Sequence, residues 1–141
     1  MHRDFKIRTG IYLVQPPHEL DLHNDFDFQE LRYSVAERNL SLLWRRSARE
    51  GVPVTLPALA AIEFRGVTEF RFQARDPQLP FTEDDCLRDF GHWTDEDWAE
   101  GSVMILVEPE KADERWLTAI EFMSGAIVLV QADSAHATIV A

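Results

Sequence analysis

The sequence predicts a mainly β domain: an antiparallel sandwich or strongly curled sheet of about eight strands, with one or two short helices near residues 83–100. Three observations carry this. Apolar residues recur at every second position in several separate stretches, which is the period of a strand with one buried face. The stretches are short and joined by turn-like sequences, and short connections favour antiparallel neighbours. No strand–helix–strand unit with a crossover helix of ordinary length is present.

Taken in order, Ile11-Tyr12-Leu13-Val14 reads as a strand stopped by Pro16-Pro17. A mixed stretch from His18 to about Tyr33 follows. Leu31, Tyr33 and Val35 then alternate with polar residues, Ala36-Glu37-Arg38-Asn39 supplies a turn, and Leu40, Leu42 and Trp44 alternate on the way back. This is a hairpin with one buried face. Arg45 to Gly51 is a polar loop, and Pro53 and Pro57 suit extended but not central-strand positions. Ala60, Ile62 and Phe64 form the next alternating set, and Thr68, Phe70 and Phe72 its successor. Arg65-Gly66 between them fits either a tight turn or a bulge.

Thr82-Glu83-Asp84-Asp85 has a capping-box pattern, with acids suited to a helix start. Leu87 and Phe90 would form the apolar face of that helix, and Gly91 its C-terminal stop. The punctuation recurs at Thr94-Asp95-Glu96-Asp97, with Trp98 inside and Gly101 after. Val103 to Val107 is a continuous apolar strand before Glu108-Pro109. Trp116, Thr118, Ile120 and Phe122 alternate up to Ser124-Gly125, a two-residue turn signal. That turn would set Phe122 opposite Ile127 and Ile120 opposite Leu129. Val128 and Val130 lie on the other face, so this hairpin is expected to be buried on both sides. A last strand from about Ala137 to Val140 would pair at its edge.

At 141 residues the chain has the size of one globular domain, 1–141, and its 45% hydrophobic content is ordinary for one. No apolar stretch approaches a bilayer span, and the first residues lack the apolar core of a secretion signal. A single cysteine, Cys86, excludes an internal disulfide and a multi-cysteine zinc site. These features together suit the cytoplasm.

The net charge of −11 is unevenly distributed. Residues 1–50 carry eight basic and eight acidic side chains. Between Glu83 and Glu114 there are twelve acidic and two basic ones, a local balance of −10. Such a field repels nucleic-acid phosphates and anionic lipids, so neither is an expected partner. It would speed encounter with a basic protein. It also serves solubility and the two helix starts.

Three constellations bear on chemistry. If Asp21 to Phe28 is extended, Asp21, His23, Asp25 and Asp27 share one face, and His23, Asp25 and Asp27 become candidate ligands for a divalent cation, with His18 nearby. A metal-dependent hydrolase or metal-binding domain would follow. The calcium-loop pattern fails, because Phe26 stands where the turn glycine belongs and Arg32 at the twelfth position. The plainer reading is a strand with a wet polar face. Cys86 with His92 is the second, but Glu83, Asp84 and Asp85 oppose a thiolate, and a packed, inert cysteine fits better. Trp93 and Trp98 within the acidic segment are the third, either as partner contacts or as anchors onto the sheet.

No Walker loop, dinucleotide fingerprint, nucleophile elbow, zinc-protease or kinase motif occurs, and no catalytic residue or resident cofactor is assigned. The leading expectation is a non-enzymatic module that presents Trp93, Asp95, Glu96, Asp97 and Trp98 to a basic protein, as an intracellular neutraliser of a basic toxin or nuclease would. The alternatives are the metal site and a structural subunit of a homo-oligomer that extends a neighbour's sheet at the C-terminal strand.

Overall fold

The structure, a computed structural model, describes residues 1–93 and 116–141. Twelve strands occur among them: β1 (His2–Arg3), β2 (Lys6–Arg8), β3 (Tyr12–Gln15), β4 (His18–Asp21), β5 (Phe26–Ser34), β6 (Asn39–Arg46), β7 (Leu59–Arg65), β8 (Glu69–Gln73), β9 (Leu87–Trp93), β10 (Leu117–Phe122), β11 (Ile127–Gln131) and β12 (Ser134–Val140). They form a five-stranded sheet in the order β1-β12-β7-β6-β5, a four-stranded sheet in the order β8-β11-β10-β9, and a small sheet β2-β3-β4. All pairings are antiparallel except β1 with β12. The arrangement is sandwich-like, as the period-two pattern predicts.

The β5–β6 hairpin shows how pattern becomes packing. Leu40, Leu42 and Trp44 are fully buried, while Ser41, Leu43 and Arg45 between them are not. Across the ladder they meet Tyr33, Leu31 and Phe28. Phe28 and Leu31 are three residues apart and would point to opposite faces of a regular strand. A bulge between Phe28 and Glu30 restores both to the inner face.

Phe28 is the contact between the two large sheets. Its ring lies 4.6 Å from that of Phe122 on β10 and 5.2 Å, edge-on, from that of Trp44 on β6. Further along β5, Tyr33 stacks on Phe70 of β8 at 5.2 Å. Because β10 and β8 are separated by β11, β5 runs across the second sheet rather than along one of its strands. Each apolar side chain fully buried here contributes about 1.5–3 kcal/mol.

The chain passes between the sheets twice at one corner. β7 pairs with β12 in the first sheet, and their continuations β8 and β11 pair in the second. Arg65-Gly66 is therefore neither a hairpin turn nor a bulge, but the bend of a ribbon shared by both sheets. Thr68 N–H donates to Gln131 O at 2.8 Å and Asp133 N–H to Arg65 O at 3.0 Å, so backbone pairing continues through the bend. Gly66 has φ +67°, and a Cβ there would lie 2.2 Å from Asp133 Oδ2.

Other expectations need correction. The β10–β11 hairpin forms, but Ile120 pairs with Val128 and Glu121 with Ile127. The loop holds three residues, not two: Gly125 N–H donates to Phe122 O, Phe122 N–H donates to Ala126 O, and Gly125 takes φ +86°. One extra residue shifts the register by one, so Ile120, Phe122, Val128 and Val130 join the main core. Ile127 and Leu129 join Trp93, Leu117 and Ala119 in a second buried cluster. The hairpin is thus buried on both faces.

The helix expected after Thr82 is a single 3-10 turn, Phe81–Glu83. Leu87, Phe90 and Gly91 belong to strand β9 instead. The helix at Thr94–Gly101 and the strand at Val103–Val107 lie outside the described residues. Nor is β12 the free edge expected of it. It lies between β1 and β7, and beyond β1 the Asp4 carboxylate accepts from Ala137 N–H at 2.8 Å while Gln15 donates to Ala137 O at 3.1 Å. Among the described residues no helix is long and apolar enough to cross a membrane.

Gly66→Ala is expected to destabilise the fold by about 1–2 kcal/mol through its left-handed backbone, with a further loss from the clash with Asp133. Urea unfolding checks this. Adding Asp133→Ala should recover the clash but not the backbone cost, and full recovery would contradict the assignment.

Candidate functional site

The stretch from Asp21 to Asp27 is not extended. Residues 22–25 form a turn between β4 and β5. Asp21 causes it, since its carboxylate accepts from the backbone N–H groups of His23 at 3.0 Å and Asn24 at 2.8 Å, and from Asn24 Nδ2 at 2.8 Å. A backbone bond, Asp25 N–H to Asp21 O, closes the turn at 3.0 Å. Asp21, His23, Asp25 and Asp27 therefore do not share one strand face. Asp21 is buried and committed to the turn. Among the described residues no three His, Cys, Asp or Glu side chains are grouped so that they could hold a metal ion.

The turn brings His23 to a residue sixty-three positions away. His23 Nδ1 lies 2.5 Å from Leu87 O and 3.5 Å from Cys86 Sγ. Cys86 thus meets His23, rather than His92 as the sequence suggests. A carbonyl only accepts, so Nδ1 carries the proton and donates to Leu87. The imidazole nitrogen nearest the sulfur therefore has no lone pair with which to take the thiol proton. Burial pushes the Cys86 thiol pKa up, and Glu83 and Asp85 push it further. This pair is built for packing, not for nucleophilic chemistry.

Two acidic stretches converge around it. Phe28 N–H donates to Asp85 O at 2.8 Å, which ties the start of β5 to the segment before β9. These are the edge strands of the two large sheets, so the junction lies along their seam. Asp25 and Asp27 come from one side, and Glu83, Asp84 and Asp85 from the other. Burial raises the Asp85 carboxyl pKa, and Asp27 raises it further; burial and then Asp21 raise that of Asp25. Arg49 opposes both shifts. Its Nη2 donates to Asn24 O and its Nε to Ser47 Oγ at 3.1 Å. Asp84 is held by Arg75 at 2.8 Å, and Arg45 lies across the ladder from Asp27.

Of the aromatic candidates, Trp93 is 1% exposed and packs with Leu117, Ala119, Ile127 and Leu129, so it presents no surface to a partner. Asp95, Glu96, Asp97 and Trp98 lie outside the described residues. Elsewhere, an open cleft of about 510 Å³ lies between the β3–β4 turn and residues 54–57, with His18, Glu19, Arg46 and Thr55 on its walls. Arg46 Nη1 is already engaged there by Val54 O at 2.7 Å and Leu56 O at 2.6 Å.

His92 is buried on β9 beside Arg3, with its ring 6.2 Å from that of Trp116. Burial, then Arg3, then the amino-terminal ammonium lower its pKa to about 4. Compared with protein-family models, with curated proteins and with solved structures, the chain matches none of them.

Two predictions follow from these surroundings. Cys86 should react with iodoacetamide at pH 8 more slowly in the native protein than in urea; equal rates would contradict the raised pKa. His92 is neutral in the fold and more basic once unfolded, so falling pH favours the unfolded chain between pH 6.5 and 4. The loss attributable to His92 should reach about 3 kcal/mol at pH 4. Denaturant unfolding of wild type and His92→Gln across that range measures it as the difference between their pH slopes.

Proposed function

We propose that the chain is a non-enzymatic binding protein that offers an acidic surface to a basic protein partner. The supporting observation is the seam at which Asp27 meets Asp85 and its acidic neighbour Asp84. Beyond the effect of burial, the Asp27 charge raises the Asp85 carboxyl pKa, and that repulsion is a standing cost to the folded state. A partner's lysine or arginine relieves the cost, so binding gains what the free protein lacks. In the sequence Asp95, Glu96, Asp97 and Trp98 follow, and the whole Glu83–Glu114 segment has a balance of −10. Trp93, being buried, is not among the contact residues.

The chemistry around Cys86 supports the non-enzymatic half of the reading, because its thiol is held protonated and its imidazole neighbour cannot serve as base. A small neutraliser of a basic toxin or nuclease needs these attributes: a β scaffold and an acidic patch.

The test couples binding to stability. Immobilised wild type, Asp27→Asn/Asp85→Asn and Asp95→Lys/Glu96→Lys/Asp97→Lys are exposed to lysate of the source cells at low and high salt. A basic protein is expected on the wild type at low salt, lost at high salt and lost on both variants. With that partner purified, the association rate should fall about tenfold or more from low to high ionic strength. Asp27→Asn/Asp85→Asn should also melt higher than wild type at pH 7 and low salt, since it removes repulsion. Binding that survives both sets of substitutions would overturn the proposal.

A further inference from the structure

Arg3 is a largely buried cation with no acid beside it among the described residues. Its Nη2 donates to Thr118 Oγ1 at 2.8 Å, and among the described residues no carboxylate comes within ion-pair distance of it. Its guanidinium carbon lies 5.8 Å from the ring centroids of both Phe5 and Phe90. Burial lowers its pKa to about 10, and no charged neighbour among the described residues offsets the shift. Charges removed from water are ordinarily paired, because their desolvation is not otherwise repaid.

The surroundings say what would fit. The two phenyl rings associate with the cation, and the in-plane N–H donors not used by Thr118 remain for a ligand. An acceptor must therefore approach along the guanidinium edge, the geometry in which a planar carboxylate accepts two parallel bonds. Thr118 accepts from Arg3, so its own O–H is free to donate. His92 lies opposite Thr118 in the β9–β10 ladder, near enough to feel the Arg3 charge, and its imidazole is neutral.

We propose that Arg3, Thr118 and His92 form a binding site for a small carboxylate at the junction of β1, β9 and β10. The site is independent of the acidic seam and calls for a ligand of opposite charge. Bound carboxylate would neutralise Arg3, remove one cause of the depressed His92 basicity, and tie the β1 segment to the second sheet.

Acetate is the probe, titrated into the full ¹⁵N-labelled chain against chloride at constant ionic strength. The resonances read are Arg3 Nε–H and the backbone amides of Arg3, His92 and Thr118. Acetate should shift them saturably, with a dissociation constant of about millimolar order, whereas chloride should not. At saturation the His92 pKa should rise by about half a unit or more, because the anion cancels the Arg3 charge. Arg3→Gln should abolish saturation. If that variant fails to fold, Thr118→Val serves instead and should weaken acetate about threefold or more. Equal responses to acetate and chloride, or saturation unaltered in these variants, would overturn the site. Inorganic phosphate binding the same resonances more tightly than acetate would overturn its carboxylate character.

Discussion

The ring of Phe28 touches both large sheets at once, against Trp44 on one side and Phe122 on the other. Much of the molecule is arranged around that contact. The bulge after Phe28 lets Leu31 share its face, which keeps the rest of β5 in the core. With β5 held at its start by Phe122 and further along by Phe70, the two sheets cross instead of lying parallel. The same anchorage draws the beginning of β5 against the segment before β9. The acidic seam is thus a by-product of where one aromatic side chain must sit.

That seam illustrates how a fold can hold unfavourable electrostatics. Phe28 N–H to Asp85 O is a backbone bond and is indifferent to the charges on either side. Hydrophobic burial and backbone pairing fix the positions, and the carboxylates accept the repulsion that results. Arg49 moderates it without cancelling it. At the junction of β1, β9 and β10 the balance is reversed, with a guanidinium beside two aromatic rings and no acid near it among the described residues. An acidic protein therefore carries one place where it is locally cationic and another where its negative charge is concentrated.

The sequence was legible wherever a single face was buried. Leu40, Leu42 and Trp44, or Ala60, Ile62 and Phe64, alternate because their neighbours meet water or a less crowded surface. It misled where that condition failed. Phe90, Gly91, His92 and Trp93 are all buried, so β9 has no period two, and the three-residue spacing from Leu87 to Phe90 imitates a helix. At Asp21 the alternating acids suggested a strand, but a short carboxylate competed for the backbone and made a turn. The junction of Cys86 with His23 spans sixty-three residues and left no local signature. The Ser124-Gly125 turn was correctly located, and only the count of loop residues, hence the register, escaped the pattern.

The placement of β12 bears on how the chain acquires its structure during synthesis. β12 lies between β1 and β7, so the five-stranded sheet joins residues 2–3 to residues 134–140. The ribosome delivers the inner strand of that sheet after all its neighbours. Until then β7 presents an unpaired row of amides, and β1 has nothing to pair with. The nascent chain must protect the β7 edge, alone or with a chaperone, while residues 66–133 are made, and β1 for longer still.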